Sequence, residues 1–132
     1  MPNLTIEGVI VPILTPLNSD ETVDIPSLKR LVNYLVDNGV HGIWVSGTTG
    51  EFASLSDTQR LISMETVTSE VAGRVTIIGN ISGPSTHISL RMAMDVQEMG
   101  MDGIAVTPPY YYSHAQDELL SHYRHISDRC GL

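Results

Sequence analysis

The sequence has one lysine, Lys29, and one cysteine, Cys130, in 132 residues. A single thiol excludes an intrachain disulfide and any metal cluster built on thiolates. Cys130 reads as a helix-end residue without a chemical role. A single lysine restricts amine chemistry to one position. Basic residues are scarce, with seven against fifteen acids and a net charge of −8. No Lys/Arg run occurs, which argues against nucleic acid or an anionic membrane as partner. The acidic balance leaves an anionic substrate open, because local N–H and hydroxyl donors can hold a carboxylate. No apolar run approaches the ~20 residues that cross a bilayer. Met1 to Glu7 carry no basic region and no long apolar stretch, so no signal peptide is expected. The chain reads as soluble and cytoplasmic.

What is present is an apolar fraction of 42%, enough to build a core. Four apolar runs have strand character: Gly8 to Leu14, Gly42 to Ser46, Val75 to Ile81 and Gly103 to Thr107. They are continuous rather than alternating, as in strands buried on both faces of a parallel sheet. A helical pattern follows each run. The first helix opens at Asp24-Ile25-Pro26, presents Leu28, Leu31, Val32, Leu35 and Val36 on one face, and ends at Asn38-Gly39. The second starts at Ser56, with Gln59 at capping-box spacing, and runs to Gly73. The third spans about Ser85 to Met99. The fourth is expected to start near Ser113, with Gln116 three residues on, and to end at Gly131.

The order is strand-helix four times, with no linker, so residues 1–132 form a single unit. One junction recurs: Asn38-Gly39-Val40-His41-Gly42-Ile43-Trp44-Val45 resembles Met99-Gly100-Met101-Asp102-Gly103-Ile104-Ala105-Val106. Four such units could close as a small flavodoxin-like sheet or form half of an eightfold (βα) barrel. The first strand is followed by Thr15-Pro16 rather than a glycine-rich phosphate loop. The polar motifs follow strands two and four, so several strand ends serve one site. Both features favour the barrel.

The first motif is Gly47-Thr48-Thr49-Gly50-Glu51. Glycines allow close approach of backbone to a ligand. Hydroxyls and N–H groups there can hold a carboxylate or pass a proton. A plain turn with threonine caps accounts for the motif equally well. The second is Pro108-Pro109-Tyr110-Tyr111-Tyr112. A phenol can serve as acid or base, but exposed tyrosines more often mark packing or an interface. Trp44 reads as packing. His122 and His125 share a helical i, i+3 spacing that suits metal, yet no third ligand stands beside them, so a solvated helix face is the better reading.

Together these segments resemble the N-terminal half of the dihydrodipicolinate synthase / N-acetylneuraminate lyase family of class I aldolases. Gly8 to Pro16, Val45 to Ser56 and Gly103 to Leu119 carry the resemblance, above all Val106-Thr107-Pro108-Pro109-Tyr110-Tyr111 followed by Gln116. A threonine at position 48 is the dihydrodipicolinate synthase form; lyases acting on neuraminate tend to have serine there. Other members, such as lyases of 2-keto-3-deoxy sugar acids, remain open.

The resemblance implies four βα units of a TIM (βα)8 barrel and a homotetramer. It implies a lysine that forms a Schiff base with pyruvate or another 2-oxo acid, followed by condensation with, or cleavage to, an aldehyde. It calls for no cofactor and no metal. Thr48 would be a relay hydroxyl, and Thr49, with Gly47 and nearby N–H groups, would hold the carboxylate. Tyr111 would be the relay tyrosine reaching a neighbouring subunit, with Tyr110 at the same interface. The family's second tyrosine and its lysine belong to strands five and six, beyond these residues. Lys29 lies on the first helix and cannot be the nucleophile, so this chain alone is expected to lack aldolase turnover. Two departures stand out: Gly79 to Pro84 differs from the usual third-strand turn, and Phe52 replaces a commonly small residue.

Overall fold

The computed structural model describes residues 6–132. Strands and helices alternate: β1 (Ile10–Pro12), α1 (Ile25–Asp37), β2 (Gly42–Val45), α2 (Asp57–Val71), β3 (Thr76–Asn80), α3 (Thr86–Glu98), β4 (Gly103–Ala105) and α4 (Gln116–Ser127). All strands are parallel, in the spatial order β1-β2-β3-β4. The order never reverses. A doubly wound sheet needs a reversal, at its topological switch point. The flavodoxin-like alternative is therefore excluded, and the winding is that of a βα barrel.

Alternation along the strands divides the two faces. Ile43, Val45, Ile77 and Ile81 are fully or almost fully buried in the same core as Leu28, Val32, Met64, Val67, Val71, Met92 and Val96 of the helices. A Cβ on Gly79 would strike Val96 and Met101, so this face of β3 meets the helix layer closely. Ile10, Trp44 and Ile78 lie on the opposite, concave face and are only half-buried.

Helix ends follow the sequence with informative exceptions. Asp24 caps α1 by accepting the Ser27 N–H at 3.0 Å. Ser56 caps α2 through the Gln59 N–H at 3.3 Å. The Gln59 side chain does not close a capping box: its Oε1 accepts the Val23 N–H at 2.7 Å and ties α2 to the loop after β1. The start of α4 differs from expectation. Ala115, not Ser113, is the cap residue, and Glu118 accepts the Ala115 N–H at 2.8 Å. The first-turn carboxylate supplies the reciprocal half of a capping box, and no side chain at the cap position accepts from the first turn.

The repeated junction is a repeated structure. Gly39 and Gly100 take φ of 82° and 77°, where a side chain is strained. Val40 and Met101 donate back to Leu35 and Val96, while Gly39 and Gly100 donate to Val36 and Gln97, the Schellman pattern. Next, His41 Nδ1 accepts the Val9 N–H at 3.0 Å, and Asp102 Oδ2 accepts the Ile77 N–H at 2.8 Å. The residue entering each even-numbered strand thus caps the start of its neighbour.

All four strands are shorter than their apolar runs, β1 most of all. Gly8 has a φ of 78°, which keeps it out of β1. Past Ala105 the ladder gives way to side chains, with the Thr107 N–H donating to Ser82 Oγ at 2.8 Å. The strands diverge there, and the loops that carry the polar motifs begin.

Candidate functional site at the carboxyl ends of the strands

The loop after β2 is held in a strained, anchored turn. Ser46 and Glu51 flank it with φ of 54° and 59°. Non-glycine residues pay roughly 1 kcal/mol or more each in this region. Thr15, from the end of β1, donates its buried hydroxyl to the Gly50 carbonyl at 2.8 Å. Gly50 leaves little room for a side chain: a Cβ would stand 3.1 Å from the Ile13 carbonyl and 3.2 Å from Ser46 Cα. Gly47 rests over the Trp44 ring, 3.4 Å from where its Cβ would be. Trp44 is thus the floor of the loop, as its packing role requires.

Thr48 and Thr49 are exposed at the tip, and Gly47 is buried beneath them. The Gly47 and Thr48 carbonyls accept from Phe52 N–H at 3.3 Å and Glu51 N–H at 3.0 Å. Among the described residues, the N–H groups of Thr48 and Thr49 have no hydrogen-bond partner. The turn therefore engages its Gly47, Thr48 and Gly50 carbonyls and leaves the Thr48 and Thr49 N–H groups open. Two N–H groups and two hydroxyls at one rim form a donor set suited to a carboxylate.

The loop after β4 meets this one through aromatic rings. Phe52 and Tyr110 pack edge to face with centroids 5.9 Å apart. Arg60 of α2 lies beneath, its guanidinium 5.4 Å from the Phe52 centroid. Arg60 is 3% exposed; it donates to the Asn80 carbonyl at 2.7 Å and approaches Asp57 at 3.8 Å. Burial pulls its pKa below the ordinary arginine value, with Asp57 and Tyr110 opposing. Phe52 is thus the bridge between the two motif loops.

Tyr111 is 76% exposed and packs edge to face on Tyr112 with centroids 4.9 Å apart. Among the described residues, no hydrogen bond joins Tyr111 to Thr48 or Thr49. The two motifs share a rim, but their proposed relay groups do not touch within one chain. Lys29 is half-exposed on α1 and pairs with Glu70 of α2 at 3.4 Å. It belongs to the helix layer, away from both loops.

His122 is not on a solvated face. It is 4% exposed, with Nδ1 2.9 Å from Thr86 Oγ1, while His125 is exposed. Among the described residues, no group of three or more His, Cys, Asp or Glu could hold a metal ion. Cys130 is buried against Gln97 at the end of α4. No helix among the described residues is long and apolar enough to cross a membrane.

Sequence reasoning missed the polar residues buried below the loops: Thr15, Ser46, Arg60, Asn80 and Ser82. Asn80 Oδ1 accepts the Ser82 hydroxyl at 2.8 Å, and Ser82 in turn accepts the Thr107 N–H. A signal existed. Thr15 and Ser82 directly follow apolar runs, Ser46 ends one, and Arg60 interrupts the buried face of α2.

Singly wound parallel strands with polar loops gathered at their carboxyl ends are the architecture of part of a (βα)8 barrel. The chain belongs to the dihydrodipicolinate synthetase family, which matches residues 5–132. It is 36% identical over 126 residues to an uncharacterized DapA-like lyase of Pyrococcus horikoshii, covering 96% of this chain and 43% of that protein. It is 35% identical over 123 residues to the N-acetylneuraminate lyase of Citrobacter koseri, covering 93% and 41%. YagE of Escherichia coli K12, a prophage protein of the dihydrodipicolinic acid synthase family solved in complex with pyruvate, superposes with a TM-score of 0.92 at 27% identity, covering 95% and 42%. The chain thus spans less than half the length of these relatives, and the four βα units match part of their barrel.

Proposed function

We propose that this chain carries the 2-oxo-acid-binding portion of a Schiff-base aldolase or lyase. The observation that supports it best is the anchored Gly47–Gly50 turn, with open Thr48 and Thr49 N–H groups beside two exposed hydroxyls. Thr49 and the turn's N–H groups hold the carboxylate of pyruvate. Thr48 passes protons. Tyr111, presented to solvent, serves the site of a neighbouring subunit in a cytoplasmic homotetramer, and Tyr110 sets its loop through Phe52. The pyruvate-bound relative supports the ligand class.

The chemistry itself needs an amine. A lysine adds to the ketone and expels water to give an iminium; loss of a methyl proton gives the enamine, which attacks the aldehyde carbon. Lys29 cannot supply this amine, being held by Glu70 in the helix layer. The nucleophile comes from outside residues 1–132. The parent reaction is a carbon–carbon or carbon–oxygen lyase reaction of the 4-hydroxy-tetrahydrodipicolinate synthase type.

Turnover and borohydride trapping test this together. Residues 1–132 should neither condense pyruvate with an aldehyde nor gain a reduced pyruvate adduct on Lys29. Robust turnover by this chain, lost in Thr48→Val, would overturn the assignment of the nucleophile to another segment.

A second reading rests on the sheet. Among the described residues, β1 and β4 each pair on one side only. Open edges and a half-exposed concave face favour assembly. A binding or assembly role without catalysis predicts stable oligomers that bind 2-oxo acids and turn nothing over.

A further inference from the structure

We propose that Ser82, seated on Asn80, is the positioning residue for the loop 106–112. It fixes the root of a stiff two-proline arm, and so sets where Tyr110 meets Phe52 and where Tyr111 is presented. The functional meaning of that placement rests on the role proposed above for Tyr111.

The last backbone rung between β3 and β4 runs from the Ile81 N–H to the Ala105 carbonyl at 2.9 Å. In a parallel ladder the next rung would run from the Thr107 N–H to the Ile81 carbonyl. The Thr107 N–H goes to Ser82 Oγ instead, at 2.8 Å. A side chain thus takes over where the strands part. Residues 108 and 109 are prolines without an N–H, so Thr107 is the last backbone donor before Tyr110. Among the described residues, residues 108–112 make no backbone–backbone hydrogen bond. Proline fixes its own φ and holds the residue before it extended. Thr107 and Pro108 both precede proline, so the segment from Thr107 to Pro109 acts as a stiff arm. At its far end is Tyr110, whose ring meets Phe52 with centroids 5.9 Å apart.

Ser82 is itself held. It is fully buried, and its hydroxyl donates to Asn80 Oδ1 at 2.8 Å. The Thr107 N–H is a donor, so Ser82 accepts there and keeps its own proton for Asn80. Asn80 is 1% exposed, and its backbone carbonyl accepts from Arg60 at 2.7 Å. Arg60 in turn lies against the Phe52 ring. The contacts therefore close a circuit from Thr107 through Ser82, Asn80, Arg60 and Phe52 to Tyr110, and the proline arm completes it. Alanine at position 82 would break the circuit at two bonds, leaving the Thr107 N–H and Asn80 Oδ1 without their partner. A hydroxyl is required there, because one atom must accept and donate at once.

Amide exchange and ring–ring NOEs measured by NMR on the 132-residue chain test the proposal in wild type, Ser82→Ala and Ser82→Thr. In wild type the Thr107 amide should be protected from exchange and the Tyr111 amide should not. Ser82→Ala should speed Thr107 exchange roughly tenfold or more, as the loss of a buried hydrogen bond implies. It should also weaken the Phe52–Tyr110 NOEs and shift the Tyr111 amide. Ser82→Thr, which keeps the hydroxyl, should restore both. A general loss of stability would speed exchange throughout and leave the NOEs and the Tyr111 shift as they are; that result in Ser82→Ala would overturn the proposal. So would a folded Ser82→Thr chain that behaves like the alanine variant. A wild-type Thr107 amide that exchanges as fast as Tyr111 would overturn it without any variant. Because the readout is loop position, a failure to bind pyruvate would count against the carboxylate-binding turn and leave this inference standing.

Discussion

Thr15→Val removes one hydrogen bond and nothing else of comparable weight. Valine keeps the branched shape, so the site stays filled. The lost contact is the 2.8 Å bond from Thr15 Oγ1 to the Gly50 carbonyl, in a position only 7% exposed. Leaving a buried acceptor unsatisfied costs about 1–3 kcal/mol, and a mid-range value of about 2 kcal/mol is expected here. For a domain of this size that lowers Tm by about 7 °C. The effect should also be local. Gly50 belongs to the turn whose Glu51 and Phe52 N–H groups bond to Thr48 and Gly47. Opening that turn should speed exchange of those two amides about thirtyfold, the factor that about 2 kcal/mol represents. Thermal unfolding and hydrogen exchange by NMR measure both. An unchanged Tm, or unchanged exchange at Glu51 and Phe52, would refute the view that Thr15 anchors the Gly47–Gly50 turn.

Other expectations follow from the same geometry. Ser46→Gly relieves a φ of 54° and removes a buried, unpartnered hydroxyl, so it should raise stability by about 1 kcal/mol in urea denaturation, after the entropy glycine adds to the unfolded chain. Gly79→Ala places a methyl 2.6 Å from Met101 Sδ and 2.9 Å from a Val96 methyl, and should destabilise by about 1–3 kcal/mol in the same assay. His122 has a folded-state pKa below the ordinary 6.5, so the unfolded chain binds the proton more readily. Its contribution to stability is full above about pH 6.5 and is lost as pH falls through the lower folded value. Urea midpoints measured across that window should fall less steeply in His122→Gln than in wild type.

The sequence made the alternation of strands and helices readable because both kinds of signal are local. Asp24 and Ser56 bond within their own first turns, and Gly39 and Gly100 must take positive φ wherever the chain goes next. The choice between a doubly wound sheet and a barrel was less direct, since strand order is a long-range property that no local spacing encodes. Ser113 misled because a hydroxyl three residues before a glutamine matches a cap pattern, while Glu118 already satisfies the Ala115 N–H. His122 read as solvated because polarity was weighed without its partner Thr86, which lies thirty-six residues earlier. The positions of Thr48, Thr49 and Tyr111 on exposed strand-end loops were legible from motif and strand together. The Phe52–Tyr110 contact and the buried Arg60 beneath it were not, because they depend on how two loops distant in sequence lean together.

The central claim is that the turn at Gly47–Gly50 holds the carboxylate of a 2-oxo acid. Titrating pyruvate into the 132-residue chain while following backbone amides tests it without requiring turnover. The account predicts saturable shifts concentrated at Thr48 and Thr49, reproduced by other 2-oxo acids and greatly weakened in a folded Thr49→Val variant. Shifts that are absent, that spread evenly over the surface, or that persist in Thr49→Val would contradict it.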